Sequence, residues 1–225
     1  SVLERELTET SRALGLEGKS AAQVGCNNAR ELLSLASLKV IPSVGIDQSG
    51  AFLEQGRVLA KAAGLEPRLI EADIYDLPDD VGTFDLVLVT IGVLNWMPDL
   101  GGFFRVIAGL LGPGGHLLVY ETHPVMEMFD PESDTPHEPA ISYFRTDPLK
   151  EEGLISYDGV DHGSGETGYW FIHTLGQIVT SCATAGMTIT ALKEFGYSIR
   201  EPEYDVYEGR EAQIPMSYLL HARKM

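Results

Sequence analysis

The stretch AAQVGCNNAR, residues 21–30, decides how this chain folds. Small and apolar residues run into Gly25, and a helical pattern follows over residues 28–37. A buried strand that turns at a glycine into a helix is typical of a ligand-binding loop. A dinucleotide-binding loop would carry further glycines where this chain has Asn27 and Ala29 or Arg30. The stretch therefore predicts a strand–turn–helix unit, and the rest of the chain has to indicate its ligand.

The same alternation of strand and helix continues through the first half of the chain. Five strands separated by helices imply right-handed crossovers and a parallel sheet that is covered on both faces. Ligands of such sheets bind beyond the carboxyl ends of the strands, so the candidate site residues lie there. The predicted helices are residues 3–14, 28–37, 49–63 and 99–112, and the predicted strands are residues 21–25, 42–47, 68–72, 84–90 and 116–121.

The pattern changes in the second half. Residues 126–168 are predicted to form an inserted lid or substrate subdomain, with a hairpin at 141–157 and a mobile loop at 161–168. T-x-x-Q, which starts at Thr174, predicts a capped helix that ends at Gly186, and residues 187–199 and 214–222 predict two closing antiparallel strands. We expect a single α/β domain over residues 1–225, with a doubly wound seven-stranded sheet that is mostly parallel and has an antiparallel last strand.

The composition excludes several classes of protein and partner. The chain has 225 residues, of which 44% are hydrophobic and 22% are charged, and its formal net charge is −17. A surface this acidic repels nucleic acids and anionic membranes, so we expect neither as a partner. Two distant cysteines, Cys26 and Cys182, offer no disulfide framework and fit a reducing cytoplasm. We expect a cytoplasmic protein, and a monomer or homodimer.

Four segments carry a family resemblance: VGCNNAR, VGID, EADIYDLPDDVGTFDLVLV and LLGPGGHLLVYE. In order and spacing they resemble the class I S-adenosylmethionine (SAM) dependent methyltransferases, over about residues 21–121. The later segments HPVMEM and YWFIHTLGQIV are similar to a bacterial small-molecule subgroup of that family. The resemblance implies a Rossmann-like fold, SAM as cofactor, S-adenosylhomocysteine as product, and methyl transfer to an oxygen, nitrogen or carbon of a small molecule.

The resemblance also implies the cofactor contacts. Gly25 lets the backbone pass close to the ligand, and the backbone amides that open the next helix suit the methionyl carboxylate. Asp47 would accept hydrogen bonds from the ribose hydroxyls, whereas Asp73 and the backbone N–H of Ile74 would bind the adenine. The complete predicted cofactor set is Gly25, Cys26, Asn27, Asp47, Gln48, Asp73, Ile74, Thr90 and Ile91.

Asn27 and Ala29 stand where the family has glycine. Because SAM carries a carboxylate and a sulfonium but no pyrophosphate, its loop tolerates fewer glycines. Asparagine accepts a left-handed backbone readily, whereas the methyl group of Ala29 would weaken SAM binding. A non-catalytic SAM-binding protein is therefore one alternative. An NAD(P)-dependent oxidoreductase is another, but the chain lacks both an intact G-x-G-x-x-G and a Tyr-x-x-x-Lys pair.

Candidates for handling the acceptor follow the fourth and fifth strands. His123 is the candidate general base, because histidine titrates near neutral pH; the alternative is a structural hydrogen bond. Each substrate candidate likewise has an alternative role in packing or capping. No close metal-ligand spacing such as H-x-x-x-H occurs, so no metal is expected. The predicted substrate-binding residues are Asn95, Trp96, Glu121, Tyr169, Trp170 and His173.

Overall fold

The computed structural model describes residues 2–152 and 167–225. Within these residues it has five α-helices and nine strands. In chain order they are α1 (Arg5–Ala13), β1 (Ser20–Val24), α2 (Arg30–Ser34), β2 (Ile41–Asp47), α3 (Gly50–Ala63), β3 (Arg68–Glu71), β4 (Phe84–Thr90), α4 (Leu100–Leu110), β5 (Leu111–Thr122), β6 (Leu149–Glu152), β7 (Thr167–Trp170), α5 (Leu175–Thr184), β8 (Met187–Phe195) and β9 (Ser217–Lys224).

Seven of the described strands form one sheet in the order β3-β2-β1-β4-β5-β9-β8. Neighbouring strands from β3 to β5 are parallel, and β9 is antiparallel to both β5 and β8. The predicted sheet, mostly parallel with an antiparallel last strand, is confirmed. After β1 the chain adds β2 and β3 on one side of β1, and it then crosses over to add β4 and β5 on the other side. This reversal opens a crevice at the carboxyl ends of β1 and β4, which is where sheets of this kind bind ligands.

The sheet is buried on both faces, as its apolar strands predict. Side chains alternate along β4, so that Val87 and Val89 face one layer while Leu86 and Leu88 face the other. The first layer contains Phe103, Phe104 and Ile107 of α4 with Ile178 and Cys182 of α5. The second contains Leu7 of α1, Leu32 and Leu33 of α2, and Leu53 and Ala60 of α3. A rigid two-layered core therefore holds the strand ends in place.

Two predicted helices end earlier than expected. The helix predicted over residues 28–37 is α2, only Arg30–Ser34, followed by a 3-10 turn at Leu35–Leu38. The helix predicted to reach residue 112 ends at Leu110, because the residue before Pro113 disfavours helical backbone. Leu111 instead pairs with Phe84 and opens β5, so the LGPGG segment is a distorted strand start rather than a separate turn.

Of the predicted hairpin at residues 141–157, the first strand is absent from the described part, and residues 153–157 lie outside the described residues. Its first residues, up to residue 148, lie in turns, and β6 pairs antiparallel with β7. A local pattern could not identify β7 as the partner of β6, because that pairing depends on contacts distant in sequence. Most of the predicted mobile loop at 161–168 lies outside the described residues.

The predicted insertion at residues 126–168 begins on a buried anchor. A 3-10 turn, Pro124–Met128, places Met126 in a small apolar cluster with Tyr207 and Met216. The backbone oxygen of Met128 then accepts hydrogen bonds from the amides of Ala140 and Ile141. The segment after β5 is thus tied to the chain that leads into β9. Its role as a lid stays a prediction.

Candidate functional site

Asp47 lies at the carboxyl end of β2 and organises the crevice beside β1. Its Oδ2 accepts a hydrogen bond from the Asn27 backbone amide at 2.7 Å, and its Oδ1 accepts one from the Ser49 amide at 2.9 Å. One carboxylate therefore joins the loop after β1 to the start of α3. A carboxylate has about four lone-pair positions, so Asp47 keeps acceptor capacity for a ligand. Gln48, the next residue, is exposed.

The loop after β1 has left-handed backbone at both positions where glycine is missing. Asn27 has φ of 49° and Ala29 has φ of 58°, and the Ala29 side chain is fully buried. Left-handed backbone costs an alanine roughly 1–2 kcal/mol. The Asn27 side chain eases its own turn by accepting the Asn28 amide at 2.7 Å. The loop thus keeps a glycine-loop conformation without the glycines.

Replacing Ala29 by glycine tests this interpretation of the loop. We expect Ala29→Gly to preserve or tighten SAM binding. Relief of about 1–2 kcal/mol of backbone strain is offset by about 0.4–1 kcal/mol of unfolded-chain entropy and by the lost methyl contact, so stability should change by about 1 kcal/mol or less. Calorimetric titration and thermal unfolding give both quantities. Ala29→Val is the control that should destabilise the protein; a large loss of affinity in Ala29→Gly would contradict the assignment of this loop to SAM.

Gly25 brings the loop after β1 against the loop after β4. Its φ is +61°, and a Cβ built on it would lie 2.5 Å from Cγ2 of Val93. Val93 is buried, so its short branched side chain has little room to move. Only glycine satisfies both the backbone angle and the contact. The two loops that border the crevice therefore depend on each other through this one pair.

We expect Gly25→Ala to destabilise the protein by about 2–4 kcal/mol, because left-handed strain and overpacking add. Gly64→Ala is a matched control: Gly64 has φ of +68° with nothing within 4 Å of its added Cβ, so only the strain remains. Thermal unfolding separates the two variants, and Val93→Ala should partly rescue Gly25→Ala. Equal losses in the two alanine variants would contradict the contact between the loops.

Gln23, which the sequence analysis missed, joins β1 to two site elements. Its side chain is buried, and its Nε2 donates to Thr90 Oγ1 at 2.9 Å while its Oε1 accepts the Leu32 amide at 2.9 Å. Thr90 is thereby held from within the sheet, and one amide at the start of α2 already has a partner. Because α2 has only five residues, its dipole assists an anion less than the predicted longer helix would. A lone glutamine inside an apolar strand was the available signal.

Glu121 holds the loop that follows β4. Its buried carboxylate accepts backbone N–H groups from Gly92, from Val93 at 2.9 Å and from Leu94 at 3.3 Å. The loop has an unusual path there, because Ile91 has φ of 22° although β-branched residues avoid positive values. Burial raises the pKa of Glu121 to about 7 despite these three donors. The contacts correspond to loop capping, the alternative to its predicted role as a substrate ligand.

The predicted cofactor residues Cys26, Asp73 and Ile74 differ in whether their side chains are exposed or buried. The Cys26 side chain is buried in the core and burial raises the pKa of its thiol, so only its backbone faces the crevice. Asp73 is exposed after β3 and its Oδ1 accepts the Tyr75 amide at 2.9 Å, which is a turn cap. Ile74 is buried. Asp73 keeps its second oxygen for a ligand, so its adenine role stays a prediction.

His123 has both ring nitrogens engaged. Nδ1 accepts the Val125 amide at 3.1 Å, which places the ring proton on Nε2, 3.0 Å from Glu194 Oε1. Burial lowers the pKa of His123, although Glu194 opposes the shift. To accept a proton, the ring would have to release the Val125 amide. The geometry therefore weighs against the predicted general base and favours the structural hydrogen bond.

Asn95 and Trp96, after β4, bind to the strand end at β7. The Nδ2 of Asn95 donates to the Phe171 oxygen at 3.0 Å and to Glu127 Oε1 at 3.3 Å. Trp170 Nε1 donates to Glu127 Oε2 at 2.9 Å, and its ring meets Trp96 edge to face with centroids 5.2 Å apart. Glu127, which the sequence analysis missed, thus joins the two segments. Its only sequence signal was the acid in HPVMEM.

The two predicted substrate residues on β7, Tyr169 and Trp170, point in opposite directions. Tyr169 is 45% exposed, whereas Trp170 approaches the loop at Gly92. Side chains alternate along β7, so the face expected to carry Tyr169 is turned to solvent. His173 Nε2 donates to the Met97 backbone oxygen at 2.8 Å, and burial lowers the pKa of His173. The structure therefore brings Asn95, Trp96, Trp170 and His173 together and leaves Tyr169 outside.

Neither a metal-ligand cluster nor a membrane-length helix occurs in the described ranges, 2–152 and 167–225. No three His, Cys, Asp or Glu side chains there lie close enough to hold an ion. No helix among those residues is long and apolar enough to cross a membrane.

Residues 22–119 match the family of methyltransferase domains. The chain is 40% identical over 84 residues to the demethylmenaquinone methyltransferase of Thermus thermophilus, a match over 36% of each chain. It is 31% identical over 117 residues to the Staphylococcus epidermidis enzyme of the same name, over 50% of this chain and 47% of that one. This chain thus spans less than half the length of either curated relative.

The likeness in fold covers nearly the whole chain. An S-adenosylmethionine-dependent methyltransferase from Mesorhizobium loti superposes with a TM-score of 0.65 and 20% identity, over 96% of both chains. At that identity the match establishes the fold. The match includes the sheet, whose closing strands lie beyond residue 119, as well as the crevice between β1 and β4.

Proposed function

We propose that this protein, whose residues 22–119 match the family of methyltransferase domains and whose fold resembles that of a SAM-dependent methyltransferase, transfers the methyl group of SAM to a small molecule. One observation supports this most strongly. The Asp47 carboxylate and the left-handed loop after β1 meet at the carboxyl end of β2, beside the point where the sheet reverses. Such a point binds ligands, and a carboxylate there suits vicinal ribose hydroxyls.

The residues of the crevice fit SAM. Asp47 retains free lone pairs for the ribose, and Asp73 has one oxygen without a hydrogen bond in the described part of the chain. Gly25 presents no side chain, so the ligand can approach the backbone closely. The amides of residues 26–29 already donate hydrogen bonds within the protein, so the methionyl carboxylate would bind the amides that open α2. The Asn27 and Ala29 positions keep the left-handed backbone that such a loop requires.

When bound, SAM supplies a sulfonium methyl group that a nucleophile attacks in line. This chain's own residues then position the two reactants, which can account for most of the acceleration in such a reaction. Val93 fixes the loop after β4 against Gly25, and Glu121 fixes the same loop from β5. The acceptor would lie past β4 and β5, among Asn95, Trp96, Trp170 and His173.

A small-molecule acceptor is supported by the two curated relatives, both named as demethylmenaquinone methyltransferases. The net charge of −17 supports the same choice, since it opposes binding to nucleic acids and anionic membranes. Cytoplasmic location and a monomeric or homodimeric state stay predictions. One observation favours a second candidate, a SAM-binding protein without turnover: Ala29 is fully buried in left-handed backbone, where its methyl group crowds the loop.

Thermal unfolding with SAM, S-adenosylhomocysteine or NAD tests the cofactor first. A ligand at about 100 times its dissociation constant stabilises a protein by about 2.7 kcal/mol, which for this size raises the midpoint by roughly 5–10 °C. We expect that rise with SAM and its product and none with NAD. A rise with NAD alone would replace the proposal by an oxidoreductase. SAM binding without turnover on any acceptor would favour the non-catalytic candidate.

A further inference from the structure

A small cavity lies at the carboxyl ends of β4 and β5, against the start of α5. It has room for about one water molecule. Leu94 forms part of its wall and is adjacent to Val93, which contacts Gly25, so the cavity borders the proposed SAM site. Its polar lining comes from four separate parts of the chain and consists of Asn95, Glu121, Thr122, Glu127, His173 and Tyr218.

The Tyr218 hydroxyl is buried in this cavity wall without a hydrogen bond. The side chain has no exposed surface, and its oxygen has no partner among the residues that the structure describes. Leaving a buried hydroxyl unpaired costs about 1–3 kcal/mol, and few native groups are left so. Phenylalanine would fill the same space without that cost. A hydrogen-bonding group placed in the cavity would complete the hydrogen bonding of this phenol.

The remaining lining is acidic. Glu121 and Glu127 both contribute to the wall, and Glu201 lies close behind, bonded to Thr122 Oγ1 at 3.1 Å. Burial raises the pKa of Glu121 and that of Glu201 to about 7 each, and each is raised further by a neighbouring carboxylate. The charges thus oppose one another in a site with little water.

No Lys or Arg side chain is among the described residues that line this cavity. Within residues 2–152 and 167–225, neither Glu121 nor Glu201 forms an ion pair with Lys or Arg. Buried carboxylates are normally paired with a cation or hydrogen-bonded throughout. Glu121 is hydrogen-bonded by three backbone N–H groups, but no positive side chain in the described cavity wall balances the acids, and the unpaired phenol lies in the same wall.

We propose that this cavity binds the ammonium or amine group of the methyl acceptor, so that the substrates are small basic amines. The inference rests on the proposed methyltransferase function and names its substrate class. An ammonium group is about as large as the water that the cavity would hold, donates to Tyr218 and the carboxylates, and neutralises part of their charge. A carboxylate ligand would be repelled there, and an alcohol would form the hydrogen bonds without the charge compensation.

Binding of three matched probes tests the chemistry of the cavity. 2-Phenylethylamine, 2-phenylethanol and phenylacetate share one frame and differ in the polar group; butylamine, butanol and butyrate repeat the comparison on a smaller frame. Each is titrated against protein saturated with S-adenosylhomocysteine. We expect the amine to bind at least about tenfold more tightly than its alcohol or acid on one of the two frames, as a charge-assisted hydrogen bond implies.

Two variants show whether the cavity itself is responsible. Tyr218→Phe should weaken the binding of amine and alcohol alike by about three- to tenfold, because both would hydrogen-bond to the phenol, whereas Glu127→Gln should weaken amine binding by that factor and leave alcohol binding nearly unchanged. Glu203→Gln removes an exposed charge near Glu201 and is the control that should leave amine binding unchanged. A purely structural Tyr218 predicts instead that Tyr218→Phe is neutral or stabilising in thermal unfolding and leaves amine affinity as it was.

The outcomes separate this inference from the proposed function. Stabilisation by S-adenosylhomocysteine together with equal or weaker binding of both amines would overturn the amine proposal and leave the methyltransferase proposal standing. Unchanged amine affinity in both Tyr218→Phe and Glu127→Gln would also overturn the amine proposal alone. Absence of any stabilisation by SAM or its product would count against the proposed function itself, and with it the amine proposal.

Discussion

Asp47→Ala is expected to weaken SAM binding by at least about 100-fold, to the point where calorimetric titration detects none. Two losses combine in this variant. The ribose hydroxyls lose their charged acceptor, and a hydrogen bond to a charged group contributes about 1.5–3 kcal/mol. The Asn27 and Ser49 amides also lose the carboxylate that holds the loop after β1 against α3. The fold should survive, because the side chain lies at the edge of the crevice.

Asp85→Ala is the matched control for this experiment. Asp85 also accepts a backbone amide, that of Ser20 at 2.9 Å, but it does so at the amino ends of β1 and β4, the opposite edge of the same sheet. Its loss should lower stability modestly and leave SAM affinity as it was. Unchanged affinity in Asp47→Ala, with the protein folded, would remove Asp47 from the cofactor site.

Glu121→Ala is expected to destabilise the protein by about 3 kcal/mol. Three backbone N–H groups, those of Gly92, Val93 and Leu94, would be left in a buried site without an acceptor. Each unpaired group costs about 1–3 kcal/mol, and the sum is reduced because a buried carboxylate is removed as well. For a protein of this size the unfolding midpoint should fall by about 6–12 °C. SAM affinity should fall with it, because Val93 loses its fixed position against Gly25.

The exposed Glu194 provides the control for Glu121. Its side chain is 50% accessible and it pairs only with His123 in the described part of the chain, so Glu194→Ala should cost less than about 1 kcal/mol. Glu121→Gln should lie between the two, since its amide oxygen still accepts from part of the loop. A midpoint in Glu121→Ala within about 2 °C of the parent protein would contradict the capping role.

The parallel sheet and the position of the crevice were predictable from the sequence. Apolar alternation, capping residues and glycines act over a few neighbouring residues, so FDLVLVT at Phe84–Thr90 or the T-x-x-Q cap at Thr174 indicate their structure locally. The order of the segments then placed Asp47 and Gly25 at one edge of the sheet, where both lie.

Other features could not be predicted, because they depend on partners far away in the chain. Glu121 caps the loop after β4, whereas it was predicted to bind substrate. It does so only because that loop turns back towards β5 and brings Gly92, 29 residues earlier in the chain, to the Glu121 carboxylate. Trp170 faces inward because β7 pairs with β6 and lies against Asn95 and Trp96. The roles of Glu127 and Gln23 depend on hydrogen-bond partners that only the tertiary structure brings close.

The sequence by itself thus determined the strands, the helices, their order and the crevice that follows from that order, since each of these rests on short-range periodicity and chain direction. Only the tertiary structure decided which side chains remain available for a ligand. The loops after β1 and β4 are held by buried hydrogen bonds from Asp47, Gln23 and Glu121, and the same burial that makes these bonds strong leaves the Tyr218 hydroxyl without a partner in the described chain. Whether a polar group is buried depends on all the elements that pack around it, and a local sequence pattern contains no information about that packing.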